Sequence, residues 1–236
     1  MNDDGDDEQS DTDELRSFGR RHGRPMSARQ AKLWATVLPR VAIDLKSATP
    51  AGTAALFPNS VSEIWLEIGF GGGEHLIWQA LHNPRVGHIG CEPFRDGVIK
   101  VLDAIDTRAI ANIRVHADDA RDVLRWLPKG SITRAFVLFP DPWPKRKHLK
   151  RRLVNPTLLA ALARVLRLGG QLRLGTDIGD YARTMLMAAQ HETRLHWQAE
   201  TANDWRQRPL DWPQTRYEAK AVREGRNSCY LQFERI

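Results

Sequence analysis

From residue 61 onward, short apolar runs alternate with runs of helical period, and that alternation restricts the fold more than any other feature. Residues 61–68, 86–91, 113–116, 135–139 and 171–175 read as strands; 73–82, 95–105, 119–127, 156–168 and 180–191 read as helices. The helix over 156–168 is expected to stop at Gly169-Gly170. Residues 195–199 and 228–233 read as closing strands. Strands separated by single helices pair in parallel, and both faces of such a sheet are covered. The expectation is one α/β domain, Rossmann-like, with a mostly parallel seven-stranded sheet and helices on both faces.

Upstream, three stretches differ. Residues 1–14 carry eight acids and no Lys or Arg, so residues 1–18 read as an acidic, disordered tail. Residues 19–60 read as a basic arm (Gly19 to Arg24), a helix over 28–38 capped by Ser27, and a linker over 49–60. The remainder, 61–236, reads as the single α/β domain. Net charge is +6 overall, but beyond residue 14, 35 Lys and Arg face 21 Asp and Glu, a balance of +14 that favours polyanionic partners. Cys91 and Cys229 are too far apart for a metal motif, and no metal is expected. No signal peptide and no apolar run near ~20 residues is evident, so a cytoplasmic protein with no membrane segment is expected.

Two segments carry chemistry. Glu67-Ile68-Gly69-Phe70-Gly71-Gly72-Gly73 lies between the first strand and first helix, where glycines let a backbone approach a ligand. Glu74 stands where the dinucleotide fingerprint needs its third glycine, and an acid there is a poor host for pyrophosphate. Glu67 instead suits an ammonium or sulfonium cation. Glu92 ends the second strand, where an acid can take ribose hydroxyls, and Asp118 and Asp119 follow the third, within reach of an adenine amino group. Helix capping is the competing role for Glu92 and Asp119. The second segment is Phe139-Pro-Asp-Pro-Trp-Pro-Lys-Arg-Lys-His-Leu-Lys-Arg-Arg152. It sets Asp141 between two prolines that stiffen the loop, and places six Lys or Arg within the next eight basic-run residues. Trp143 would stack on a base or plug the core beneath the loop.

With G-R-R-H-G-R (19–24), L-E-I-G-F-G-G-G-E-H-L (66–76), G-C-E-P-F (90–94), D-D-A (118–120), the 139–152 segment, T-D (176–177) and T-R-Y-E (215–218), the chain strongly resembles the tRNA (guanine-N7)-methyltransferases. The resemblance implies S-adenosyl-L-methionine as methyl donor and N7 of guanine in tRNA, at position 46 of the variable loop, as acceptor. It implies that Glu67, Gly69, Gly71, Glu92, Asp119 and Asp141 hold the cofactor, with Asp141 also the catalytic residue. Lys145, Asp177, Thr215, Arg216, Tyr217 and Glu218 would contact the substrate, and Lys147, His148, Leu149, Lys150, Arg151 and Arg152 the RNA. Some relatives pair with themselves or with another subunit, so a monomer or homodimer is expected. Lys147 stands where the family more often has Arg, and the acidic tail lies outside the shared pattern.

Guanine N7 offers an in-plane lone pair and loses no proton on methylation, so Asp141 is expected to orient guanine. Asp177 would be a second guanine clamp or a helix cap, and Arg20, Arg21 and Arg24 an arm that folds on tRNA. Three other readings stay open at this point: an amino-group methyltransferase, an RNA-binding module without catalysis, and a nicotinamide-dependent oxidoreductase. The D-P-W-P spacing, the acids at successive strand ends and the glycine spacing argue against them in turn.

Overall fold

A computed structural model describes residues 21–47 and 52–236. The acidic tail, Gly19, Arg20, Ala48 and residues 49–51 of the expected linker lie outside the described residues. The strands are β1 (Glu63–Ile68), β2 (Val86–Cys91), β3 (Ile113–His116), β4 (Ile132–Leu138), β5 (Leu166–Thr176), β6 (Leu195–Trp197) and β7 (Cys229–Arg235). They form one seven-stranded sheet in the order β3-β2-β1-β4-β5-β7-β6, and β7 runs antiparallel to both its neighbours. Order reverses between β1 and β4, whose parallel pairing runs from Trp65↔Arg134 to Ile68↔Val137. That reversal opens a crevice at the carboxyl ends of the strands, the place where such sheets bind ligands.

Helices α1 (Ala28–Thr36), α2 (Leu38–Val41), α3 (Glu74–His82) and α4 (Arg95–Arg108) share one apolar cluster that includes Leu33, Leu76, Val98 and Leu102. On the other face α5 (Ala120–Trp126), α6 (Pro156–Val165) and α7 (Gly179–Gln190) pack over Leu66, Ile89 and Val137 through Leu124, Leu159 and Tyr181. β1, β2 and β4 are therefore covered on both sides, and their sequences read as near-continuous apolar runs for that reason. Short α8 (Asn203–Arg206) and α9 (Arg216–Arg223) lie in the connection to β7. Trp212, from the same connection, joins Trp65, Phe136 and Tyr230 in a third cluster.

The glycine pair at 169–170 plays a different part from the one expected. α6 ends at Val165, and Leu166 already pairs with Ile132 of β4 before the register shifts to Arg134↔Gln171. Gly169, at φ +71°, sits inside that irregular strand. The glycines thus accommodate a bulge, and burial of Leu166 against β4 draws the chain out of the helix early.

Residues 21–26 dock on the body. The Arg95 amide donates to the Arg21 carbonyl (3.0 Å), its guanidinium to the Arg24 carbonyl (2.7 Å), and Arg21 pairs with Asp118 (2.5 Å). The arm expected to fold on RNA is here tied to the start of α4. No described helix is long and apolar enough to cross a membrane.

A candidate active site at the carboxyl ends of the strands

The glycine turn leaves β1 with Gly69 and Gly71 at φ +74° and +55°, conformations that cost a side-chain-bearing residue dearly. Glu92, at the end of β2 and almost wholly buried, holds this turn. Its Oε2 accepts the Gly71 amide at 2.7 Å and its Oε1 the Phe94 amide at 2.8 Å. Burial raises its pKa; those two amides oppose the shift, while the charges of Asp141 and Glu67 add to it. Phe94, not Glu92, is the N-cap residue of α4, so capping does not explain this acid.

Asp119 does cap. Its carboxylate accepts the Arg121 amide at 3.0 Å at the start of α5, and also the Arg121 guanidinium at 3.0 and 2.6 Å.

Gly69, Gly71, Glu92 and Asp119 border a cavity of about 790 Å³, closed on its other side by Pro140, Asp141, Trp143, Lys150, Arg151 and Tyr217. A Cβ built on Gly69 would meet nothing within 4 Å, so this backbone faces open space. Glu67 is absent from that lining. It borders a small adjoining space beneath the turn, and its Oε2 lies 2.7 Å from His75 Nδ1.

The loop after β4 is stiffened by more than prolines. Phe139 and Trp143 both adopt positive φ (50° and 43°), unusual for aromatic residues. The Phe139 amide donates to the Gly175 carbonyl at 2.7 Å. Arg146–Arg151 then forms a 3₁₀ turn. Trp143 is half-buried, with the His148 ring edge-on at 5.7 Å and the Arg151 guanidinium 5.1 Å from its centre. It lines the cavity and joins none of the core clusters. Asp141 is exposed, and no described residue donates a hydrogen bond to it.

Arg152 overturns one expectation outright. Its side chain is 3% exposed and cannot be part of an RNA-facing surface. It donates to the Pro142 carbonyl at 3.0 Å, to Asp180 at 2.5 Å and to the Thr184 hydroxyl, and lies 4.7 Å over the Tyr181 ring. The last residue of the loop thereby clamps the loop's own beginning. Lys145, Lys147 and Lys150 are exposed, as is Leu149 at 38%.

Around α9 the expected substrate residues divide. The Thr215 hydroxyl accepts the Glu218 amide (3.3 Å) as N-cap, and Glu218 is buried against the Tyr230 hydroxyl (2.5 Å) and Arg208 (3.2 Å). Neither side chain stands on the surface: the Thr215 hydroxyl serves α9, Oε1 of Glu218 takes the Tyr230 hydroxyl of β7, and the buried Oε2 meets no partner among the described residues. Arg216 and Tyr217 do stand there: Arg216 reaches Glu74 at 3.1 Å, and the Tyr217 ring covers Gly71, where a Cβ would approach it to 3.2 Å. Asp177 caps nothing, since Ile178 is the N-cap of α7; it pairs with Arg226 at 2.7 Å. Sequence reasoning missed α9, although Thr215 followed three residues later by Glu218 is a helix-start signature.

A family model described as a putative methyltransferase matches residues 62–231. A tRNA (guanine-N(7)-)-methyltransferase of Rhizobium meliloti (strain 1021) is 49% identical over 218 residues, covering 92% of this chain and 94% of that relative. One from Rhodospirillum rubrum is 46% identical over 230 residues, 95% and 89% of the two chains. Among solved structures, the 16S rRNA methyltransferase KamB superposes with a TM-score of 0.52 at 17% identity, over 75% of this chain and 90% of that one. The [4+2]-cyclase SpnF does so at 0.51 and 13%, over 90% and 98%, and at such identities the likeness speaks for the fold alone. By its extended identity to these relatives, the chain belongs to the tRNA (guanine-N(7)-)-methyltransferase family.

Proposed function

We propose that this chain is a cytoplasmic enzyme that methylates N7 of guanine in tRNA, at position 46 of the variable loop, with S-adenosyl-L-methionine as donor. The observation that carries this reading is the pairing of two unlike acids across one cavity: buried Glu92 fixed by two amides, and exposed Asp141 with no donor among the described residues. The cavity suits the donor: open space lies over Gly69, and acids end β2 and cap α5 where a ribose and an adenine would be met. Glu92 would take the ribose hydroxyls, Asp119 the adenine edge, Gly69 and Gly71 the close backbone approach, and Glu67 the cationic end. When bound, the donor supplies an electrophilic methyl on a sulfonium, which guanine N7 accepts through its lone pair without prior loss of a proton.

Asp141 orients guanine, accepting from its N1–H and 2-amino group, and its charge steadies the purine as positive charge develops there. Trp143 offers the base a ring face, in a loop that Arg152 keeps in place. Lys145, Lys147, His148, Leu149, Lys150 and Arg151 form the outer track for RNA phosphates, extended by Arg216 and Tyr217 at the cavity mouth. Asp177 holds Arg226, while Thr215 and Glu218 shape α9 from within. The test is incubation with unmodified tRNA and methyl-labelled donor, followed by borohydride and aniline. Strand scission at the labelled nucleotide is expected; label without scission would put the methyl on another atom, and tight RNA binding without label would leave a binding module.

A further inference from the structure

Beneath the glycine turn, three side chains of α3 and its cap, His75, Gln79 and Asn83, succeed one another at intervals of four residues on one helix face. His75 and Gln79 are 2% and 1% exposed, and Glu67 is 4% exposed. The hydrogen bonds among them have a readable polarity. Asn83 Nδ2 donates to the backbone carbonyl of Gln79 at 2.9 Å, a group that can only accept, so the Asn83 amide orientation is fixed. The same nitrogen donates to Gln79 Oε1 at 3.0 Å, which makes Oε1 the acceptor and Nε2 the donor of the Gln79 amide. Nε2 donates one proton to the Asp211 carbonyl at 2.7 Å, which again can only accept. Its second proton faces His75 Nε2 at 3.1 Å. That ring nitrogen therefore carries no proton, and the imidazole bears its hydrogen on Nδ1, 2.7 Å from Glu67 Oε2. Phe136 and Trp212 wall the ring at 4.6 and 5.9 Å between centroids.

We infer that His75 is a positioning residue, held as the neutral Nδ1–H tautomer, which pins Oε2 of Glu67 and leaves Oε1 for the cationic end of the methyl donor. The inference rests on the cofactor role proposed for Glu67. No described residue donates to Oε1, and Glu67 borders the small space beside Gly69 and Tyr217. A carboxylate with one oxygen pinned loses less rotamer freedom when a cation arrives, so the pinning is felt as cofactor affinity. The chain of bonds also reaches the Asp211 carbonyl, whose own side chain is clamped by Arg134 (3.1 Å) and Arg173 (2.8 Å). The connection that carries α9 is thus anchored to the same acid.

A long-range proton–nitrogen spectrum of the ¹⁵N-histidine-labelled wild-type protein at neutral pH reads the tautomer directly, with the His75 signals identified by their absence in His75→Asn. A proton on Nδ1 and a bare Nε2 are expected; a proton on Nε2, or on both nitrogens, would overturn the inference. Calorimetry with S-adenosyl-L-methionine then reads the consequence. His75→Leu should weaken binding about 10-fold, the scale of one charge-assisted hydrogen bond. His75→Asn, whose amide nitrogen falls near the place of Nδ1, should recover most of it at equal thermal stability. Wild-type affinity in His75→Leu, with weak binding in Glu67→Gln, would refute the positioning role alone. Wild-type affinity in Glu67→Gln would refute the cofactor role of Glu67 and the positioning with it, leaving the tautomer to be judged on the spectrum.

Discussion

The two halves of the cavity follow opposite physical plans. On the strand side, Glu92 is buried, bonded through both oxygens to backbone amides, and shifted in pKa by its burial. On the loop side, Asp141 and Lys145 to Lys147 are exposed, and the residues meant for RNA are long, cationic and solvated. A small nucleoside makes few contacts, so each must be strong, and desolvated acids on fixed backbone supply that. A folded RNA presents many phosphates, and numerous exposed cations give affinity by counterion release without precise placement. Arg152 is where the plans meet: it belongs to the basic run by sequence and to the core by burial.

The largest effect expected is from Asp141→Ala. Losing the group proposed to orient guanine should lower the single-turnover rate about 10²–10³-fold, a share of what positioning and electrostatic stabilisation supply. Donor affinity should fall by much less, because Glu92, Asp119 and the glycine turn still hold the donor. An equal loss in donor affinity would place Asp141 on the strand side and break the division. Next comes Arg152→Met, which removes the clamp on Pro142, Asp180 and Thr184. Because Asp180 is 70% exposed and can rehydrate, the loss should be about 2–3 kcal/mol, read by denaturant unfolding. The salt dependence of RNA binding should stay as it was. A shallower salt slope with unchanged stability would return Arg152 to the RNA surface.

That contrast marks how far residue patterns alone could reach. The sheet, the glycine turn and the acids at strand ends were legible because hydrophobic period and local turn chemistry report them. What periodicity could not report was which of two adjacent arginines turns inward. Arg151 and Arg152 differ only in what lies behind the loop: the Pro142 carbonyl, Asp180 and Tyr181, from elements far along the chain. Gly169-Gly170 failed as a helix stop for a related reason, since pairing of Leu166 with Ile132 is a long-range contact that outweighed local helix propensity. Asp119 shows the reverse, a capping role and a cavity role on one side chain. The polarity of the His75 chain needed three-dimensional neighbours, above all the Asp211 carbonyl.

A smaller effect comes with pH. Burial holds the Glu92 carboxyl above its ordinary range, so in the folded protein it gains its proton at a higher pH than in the unfolded chain. Its contribution to stability is therefore present at low pH and lost as pH rises through the folded value. Ribose hydroxyls donate to the anion, so donor affinity runs the other way and falls as pH drops, starting above the usual ~4.3 of glutamate. Calorimetric titration on the acid side of neutrality should show that limb in the wild type and not in Glu92→Gln, whose affinity is low throughout. A limb that persists in Glu92→Gln would assign it to another acid of the rim.

Smallest per residue, and most diagnostic of the loop side, is the effect of Lys145→Ala and Lys147→Ala. Both lysines are exposed and neither borders the cavity, so their contacts are with what arrives from solvent. Each phosphate contact removed should reduce the slope of log affinity against log salt by about 0.7–0.9. The double variant should lose nearly twice that, because solvated cations on one track act almost independently. Donor affinity and thermal stability should match the wild type, since neither residue supports the strand side. An unchanged slope would mean the phosphates pass elsewhere, with Arg216 at the cavity mouth the next residue to test. A weakened donor affinity would be the more damaging result, because it would show that the exposed half of the cavity also fixes the small ligand.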